Sequence, residues 1–350
     1  MPAYRLLDQI LHRLALQATP IAELSFDIDQ RIVRTDPNEI VDKRHLFISG
    51  LARAGTTALM RRFYASGTYR SLTYRDMPFV LAPNLWRILA RRSKREVAKT
   101  ERAHGDRILV DADSPESLDE VFWRIYAGVE YIEKTHLKPH WPDAETIWKY
   151  VCYVNAVLDA QETRLPRYLS KNNNNILRLD SIRQAFPRAL ILVPFREPLA
   201  HAQSLLRQHR RFIQMQAQEG FVRSYMTWLA HHEFGCDHRP FRFGDDGPFL
   251  PSSRTTDTLD YWLEIWCETY GWLERSAPED AVFVCYEDLC NRAEVWSRLA
   301  GLAGISADLH EDQPFQASSG DVEAAYDFAL AEQTSVIYSR LAERARIALR

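Results

Sequence analysis

His45-Leu46-Phe47-Ile48-Ser49-Gly50-Leu51-Ala52-Arg53-Ala54-Gly55-Thr56-Thr57 decides how the chain is read. The first five residues form an apolar strand. Gly50 and Gly55 flank four residues, the spacing of a phosphate-cradling loop. Gly55 then opens a helix expected to run to about Ser66. In such a loop successive backbone N–H groups and the positive end of a helix converge on an anion. A nucleotide triphosphatase of this pattern needs Lys where this chain has Thr56, and Mg²⁺ held by an Asp at a second strand end. Here the fixed cation is Arg53, inside the loop, and the two other clear strands end in Phe195-Arg196 and Cys285-Tyr286-Glu287-Asp288. The loop suits an anion held without a structural metal ion.

Working outward, Ala189 to Val193 and Ala281 to Cys285 are apolar on both faces, as strands of a buried parallel sheet require. Tyr168 to Lys171 reads as a further short strand, and Ser71 to Tyr74 as another. Helical periodicity covers the basic stretch through about Arg102. It is also expected from Ser114-Pro115-Glu116, which has the composition of a helix start. Further helices are read over 145–162, 175–185, from Pro198 toward Gln218, 258–275, 292–302 and from Val322. Residues 236–257, rich in Gly, Pro, Asp and Ser, read as a surface loop. Alternating strands and helices imply a parallel sheet flanked by helices, with ligands at the carboxyl ends of the strands.

Composition bounds the function. The chain has 350 residues, 46% hydrophobic and 26% charged, which is enough for a sizeable core. A net charge of −3 argues against broad nucleic-acid binding. Five scattered cysteines without a CxxC pair favour free thiols in a reducing, cytoplasmic setting. No His/Cys cluster has zinc spacing, and His231, His232 and His238 read as a surface loop. The first helical segment, with Leu6, Leu7, Ile10, Leu11 and Leu14 broken by polar residues, reads as amphipathic packing, and neither as a secretory leader nor as a span. The tract Asn172-Asn173-Asn174-Asn175 is the one low-complexity feature.

Arg53-Ala54-Gly55-Thr56-Thr57 resembles the 5′-phosphosulfate loop of sulfotransferases that use 3′-phosphoadenosine 5′-phosphosulfate (PAPS). Two further elements follow in the order of that family. Arg196-Glu197-Pro198, with Ser204 two helical turns on, is similar to its 3′-phosphate site; the guanidinium fork suits a phosphate. Val284-Cys285-Tyr286-Glu287-Asp288-Leu289, with Leu299 and Gly304, resembles its late strand, turn and helix. Lys171, in Ser170-Lys171-Asn172-Asn173, stands where the family often has a Lys. The resemblance, strongest to bacterial members, implies a single domain over 1–350 with a P-loop NTPase-like sulfotransferase fold. It would carry an N-terminal helical extension (1–44), a helical insertion lining the acceptor cleft (78–165) and a C-terminal helix (322–350).

It also implies sulfuryl transfer from PAPS, with 3′-phosphoadenosine 5′-phosphate (PAP) as product and no metal. The acceptor would be a hydroxyl or amine on a small molecule, carbohydrate or lipid. Arg53 would neutralise the bridging oxygens, and Ala54, Gly55, Thr56 and Thr57 would hold the 5′-phosphate. Lys171 would act on the transferring group. Asp76 is the positional candidate for the base; His104, Glu116 and Glu120 are alternatives. Two departures stand out. Lys134-Thr135-His136 copies a family triplet outside its usual place and is read as chance. The late Arg-Lys-Gly loop is absent, so no adenine contact is assigned. The competing readings are a P-loop kinase, which would need Mg²⁺ and a loop Lys, and a non-catalytic PAP-binding protein.

Overall fold

The computed structural model describes residues 6–90, 100–101, 109–110, 114–160, 167–244, 255–308, 315–316 and 325–350. In chain order the helices are α1 (Leu6–His12), α2 (Thr19–Gln30), α3 (Asn38–Val41), α4 (Thr56–Tyr64), α5 (Pro83–Ala90), α6 (Glu120–Tyr131) and α7 (Ala144–Asp159). They continue as α8 (Leu179–Ala185), α9 (Pro198–Gln218), α10 (Gly220–Trp228), α11 (Leu259–Ser276), α12 (Tyr286–Asn291), α13 (Ala293–Ala303) and α14 (Phe328–Ala348). The strands are β1 (Leu46–Ile48), β2 (Tyr69–Arg70), β3 (Thr100–Glu101), β4 (Leu109–Val110), β5 (Arg167–Lys171), β6 (Leu190–Phe195) and β7 (Val282–Cys285).

Five strands form one parallel sheet in the order β2-β5-β1-β6-β7, and β3 pairs antiparallel with β4. Side chains on successive strand residues face opposite ways, and two hydrophobic clusters divide along that alternation. Leu46, Ile48, Leu192, Val282 and Val284 face α4, α12 and α13. Phe47, Ile191, Val193 and Phe283 face the cluster with residues of α7, α9, α11 and α14. A sheet buried on both faces needs strands apolar on both faces, which the sequence of β6 and β7 supplies. From β1 the chain runs out toward β2 and β5 on one side, while β6 and β7 lie on the other. The exits of β1 and β6 therefore flank the topological switch point, where ligands of open parallel sheets bind.

Several local expectations change. The strand read at Ser71 to Tyr74 is Tyr69–Arg70, and Tyr74–Asp76 forms a 3₁₀ turn closed by a Thr73/Asp76 capping box. Ser114-Pro115-Glu116 does not start a helix. Pro115 bridges Thr73, the Glu116 N–H donates to the Leu72 carbonyl at 3.0 Å, and α6 begins at Glu120. The helix read at 175–185 is a 3₁₀ segment, Asn173–Arg178, followed by α8; Asn172 Oδ1 caps its start by accepting from the Asn174 N–H at 3.0 Å. The basic stretch is helical over Pro83–Ala90, Thr100–Glu101 is a strand, and the final helix starts at Phe328. The remaining residues of those two readings, 91–99, 102 and 322–324, lie outside the described residues, as does His104.

Candidate functional site

The loop after β1 is held in one conformation from several sides. A Cβ on Gly50 would lie 2.6 Å from the Pro194 carbonyl oxygen, and one on Gly55 would lie 2.3 Å from the Tyr286 ring. Gly55 also has φ +86°, which favours glycine. Arg53 adopts φ +71° inside the loop. His201, fully buried on α9, fixes the loop carbonyl: its Nε2 bonds the Ala52 oxygen at 2.8 Å. That oxygen only accepts, so Nε2 carries the proton. Burial, reinforced by the nearby Arg196 charge, lowers the His201 pKa to about 3, which keeps the ring neutral.

The two anion-binding elements read from the sequence meet. Arg53 Nε donates to Ser204 Oγ at 3.3 Å, and Arg196 Nη1 donates to the Arg53 carbonyl at 3.1 Å. Arg53, Arg196 and Ser204 therefore share one rim, at the exits of β1 and β6. The register adds Lys171. It pairs with Ile48 on β1, and the Asn172 N–H donates to the Ile48 carbonyl at 3.1 Å. Ala54 and Thr56 are buried at the foot of the loop, and Thr57 follows in the first turn of α4.

Residues not singled out for the site support this rim. Glu197 caps α9, accepting from the Leu199 and Ala200 N–H groups at 3.2 and 2.7 Å. Glu287 lies 4.0 Å from Arg196 Nε and accepts from the Glu197 N–H and the Tyr338 hydroxyl. The Arg196 guanidinium sits 5.6 Å over the Tyr286 ring. The Tyr286-Glu287 pair, expected to be structural, thus packs against the loop and the second arginine. Its signal in the sequence was its place directly after a strand. Behind Lys171, Asp119 accepts from Ser170 Oγ at 2.5 Å and Asn172 Nδ2 at 3.4 Å, while Glu120 is paired with the buried Arg178 at 2.8 Å. Burial raises the Asp119 pKa to about 6. This network holds the end of β5 in place.

The acid candidates separate by partner. Asp76 accepts from Arg70 Nη2 at 2.7 and 2.8 Å and from the Thr73 N–H at 2.7 Å, and it is buried. Glu120 is spent on Arg178, and Tyr131 donates to it as well. Glu116 accepts from the Tyr74 hydroxyl at 3.1 Å and the Ser117 N–H at 2.9 Å. The segment at 231–241 is more than a surface loop. His232 is buried, His231 Nε2 bonds the Ser117 carbonyl oxygen, and His238 packs on Trp262. Among the described residues no group of three or more His, Cys, Asp or Glu side chains is placed to hold a metal ion, and no helix is long and apolar enough to cross a membrane. The five cysteines form no disulfide.

A parallel α/β sheet here brings a glycine-flanked loop at β1 and an arginine at the neighbouring strand exit together at its switch point. The sequence profile of the sulfotransferase family matches residues 45–240, more than half of the chain, and the chain belongs to that family. It is similar to sulfotransferase STF1 from Mycobacterium tuberculosis H37Rv, at 13% identity and TM-score 0.48 over 97% of this chain and 86% of that one. It is also similar to sulfotransferase STF9 from Mycobacterium avium, at 14% and 0.45 over 98% and 79%. A sulfotransferase from Alicyclobacillus acidocaldarius gives 13% and 0.34 over 88% and 96%. Comparison with curated proteins gives no match.

Proposed function

We propose that this chain transfers a sulfuryl group from PAPS to a hydroxyl or amine of a small-molecule, carbohydrate or lipid acceptor. The observation that carries the reading is the meeting of Arg53, Ser204 and Arg196 on one rim, within reach of one ligand bearing two anionic groups. The loop N–H groups, Thr56 and Thr57 hold the 5′-phosphate, and Arg196 with Ser204 takes the 3′-phosphate. Transfer is an in-line displacement. The acceptor oxygen or nitrogen attacks sulfur as the bond from sulfur to the bridging phosphate oxygen breaks. PAP departs, and the acceptor's proton passes to a base. Catalysis of this kind is mostly positioning and charge stabilisation. Arg53 and Lys171 supply the positive charge around the leaving and equatorial oxygens, and one such donor contributes about 3–4 kcal/mol by analogy with oxyanion-hole groups.

Glu287 and Tyr286 set the direction of Arg196, and neutral His201 keeps the loop carbonyl turned away from the anion. Asp76 and Glu120, each committed to a buried arginine, serve the scaffold in this reading. The test is turnover of labelled PAPS on an acceptor panel in the presence of EDTA. Wild-type protein is expected to form PAP and sulfated product, and Arg53→Ala to lose at least about 100-fold in rate. Activity that needs Mg²⁺, with ATP replacing PAPS, would instead make the protein a phosphotransferase.

A further inference from the structure

One carboxylate oxygen beside the donor loop is left uncommitted. Glu233 lies just past the end of α10, and two side chains of the asparagine tract reach its turn from the end of β5. Asn174 Nδ2 donates to the Ala230 carbonyl at 3.2 Å, and Asn173 Nδ2 donates to Glu233 Oε1 at 2.9 Å. Ala230 adopts φ +53°, in the left-handed region that favours glycine, so the turn that delivers Glu233 is held against its backbone preference. Asn173 is two residues after Lys171, which pairs with Ile48 on β1. Glu233 is thereby mounted on the strand end that carries Lys171.

Glu233 and the donor loop also border one small cavity, whose wall includes Leu51 and Ala52, the residues directly before Arg53. The cavity measures about 30 Å³, room for roughly two waters and not for the body of an acceptor. A base works within hydrogen-bond reach of the proton it takes, or through one water, and a space of this size allows either. Glu233 is only partly buried, and its Oε2 has no partner among the described residues. The other acids near the strand exits are occupied. Asp76 and Glu120 face buried arginines, Asp119 accepts from Ser170, and Glu116 uses one oxygen on Tyr74 and the other on the Ser117 N–H. Glu197 caps α9, and Glu287 lies against Arg196.

On the reading that this chain transfers a sulfuryl group from PAPS, we propose that Glu233 is the catalytic base and that Asn173 positions it. As the acceptor oxygen or nitrogen bonds to sulfur, the bond from sulfur to the bridging phosphate oxygen breaks, and PAP leaves with the electron pair. The acceptor's proton passes to Glu233 Oε2, directly or through one water, and the carboxyl group later returns it to solvent. The Asn173 amide holds Oε1, which leaves Oε2 for the proton.

PAP formation from PAPS by the full chain tests this, with water alone and with phenol as acceptors. PAP affinity, read by calorimetry, reports folding and the donor site separately. Glu233→Gln is expected to lower kcat by at least about 100-fold, the usual contribution of a general base, and to keep PAP affinity within about twofold. Glu233→Ala is expected to be as slow, and added formate, a small carboxylate that can occupy the vacated space, to restore its rate in proportion to concentration. A purely structural role for Glu233 would not respond to formate. Asn173→Leu, which loosens the carboxylate without removing it, is expected to lower kcat about 10- to 100-fold with KM for PAPS unchanged. An undiminished rate in Glu233→Gln, a loss of rate matched by a loss of PAP affinity, or Glu233→Ala unmoved by formate overturns the proposal. So does a wild type that binds PAP yet turns PAPS over with neither acceptor. Failure of the wild type to bind PAP overturns the donor reading itself.

Discussion

At the scale of single residues, the site candidates were legible in the sequence because each follows a strand. Arg53, Arg196 and Lys171 stand at or just after the ends of β1, β6 and β5, where a parallel sheet presents its ligands. Their mutual distances were not legible, since Arg53 and Ser204 are 151 residues apart and meet only through the fold. Side-chain partners were equally hidden. Asp76 reads as a candidate base from its position, but its carboxylate is clasped by Arg70 with both side chains largely buried. Removing one partner of a buried pair leaves an uncompensated charge and costs about 3–5 kcal/mol. Asp76→Asn is therefore expected to destabilise the protein by that order in urea unfolding, with sulfuryl transfer retained by the folded fraction. A variant of unchanged stability and abolished turnover would make Asp76 the base after all.

Elements were legible where their patterns were extreme. β6 and β7 are apolar on both faces, and α9 begins with Pro198 behind a capping Glu197, so their positions follow from composition. The failures share a cause: local signals were outbid by long-range partners. Ser114-Pro115-Glu116 has the residues of a helix start, yet its backbone pairs with Leu72 and Thr73 and its glutamate bonds Tyr74. The asparagine tract gives no periodicity to read. Its 3₁₀ turn exists because Asn172 caps it and Glu233, Ala230 and Ser170 accept the amides of Asn173, Asn174 and Asn175. Sequence reading also left the 231–241 segment on the surface, although Leu137 pairs with Phe241 and draws it against the body of the protein.

Across the whole molecule, two hydrophobic layers enclose one sheet, and the polar groups trapped among them set the response to pH. Burial lowers the pKa of His45 to about 4, of His140 to about 2 and of His201 to about 3. Their stabilising contribution is complete above about pH 6.5 and is lost as the pH falls, because only the unfolded chain binds the protons. Asp29 and Asp119, raised to about 6 by burial, act in the opposite sense: what they contribute is present at low pH and lost as the pH rises through 6. Three depressed histidines outweigh two raised aspartates, and His209 and His238 are shifted the same way as the three. Stability near pH 5 is expected to fall by at least about 1.4 kcal/mol per pH unit on acidification. A thermal melt series from pH 7 to 5 checks this through a decreasing Tm; a flat or rising Tm would count against it.

The switch-point assignment rests on one ligand touching both the β1 loop and the β6 exit. Calorimetric titration of PAP against adenosine 5′-monophosphate, which lacks the 3′-phosphate, reads this directly in wild type and in Arg196→Ala. Wild type is expected to prefer PAP by at least about tenfold, the value of a charge-assisted hydrogen bond, and Arg196→Ala to lose that preference while still binding the monophosphate. Equal affinities for the two nucleotides in the wild type, or a preference untouched by Arg196→Ala, would contradict it.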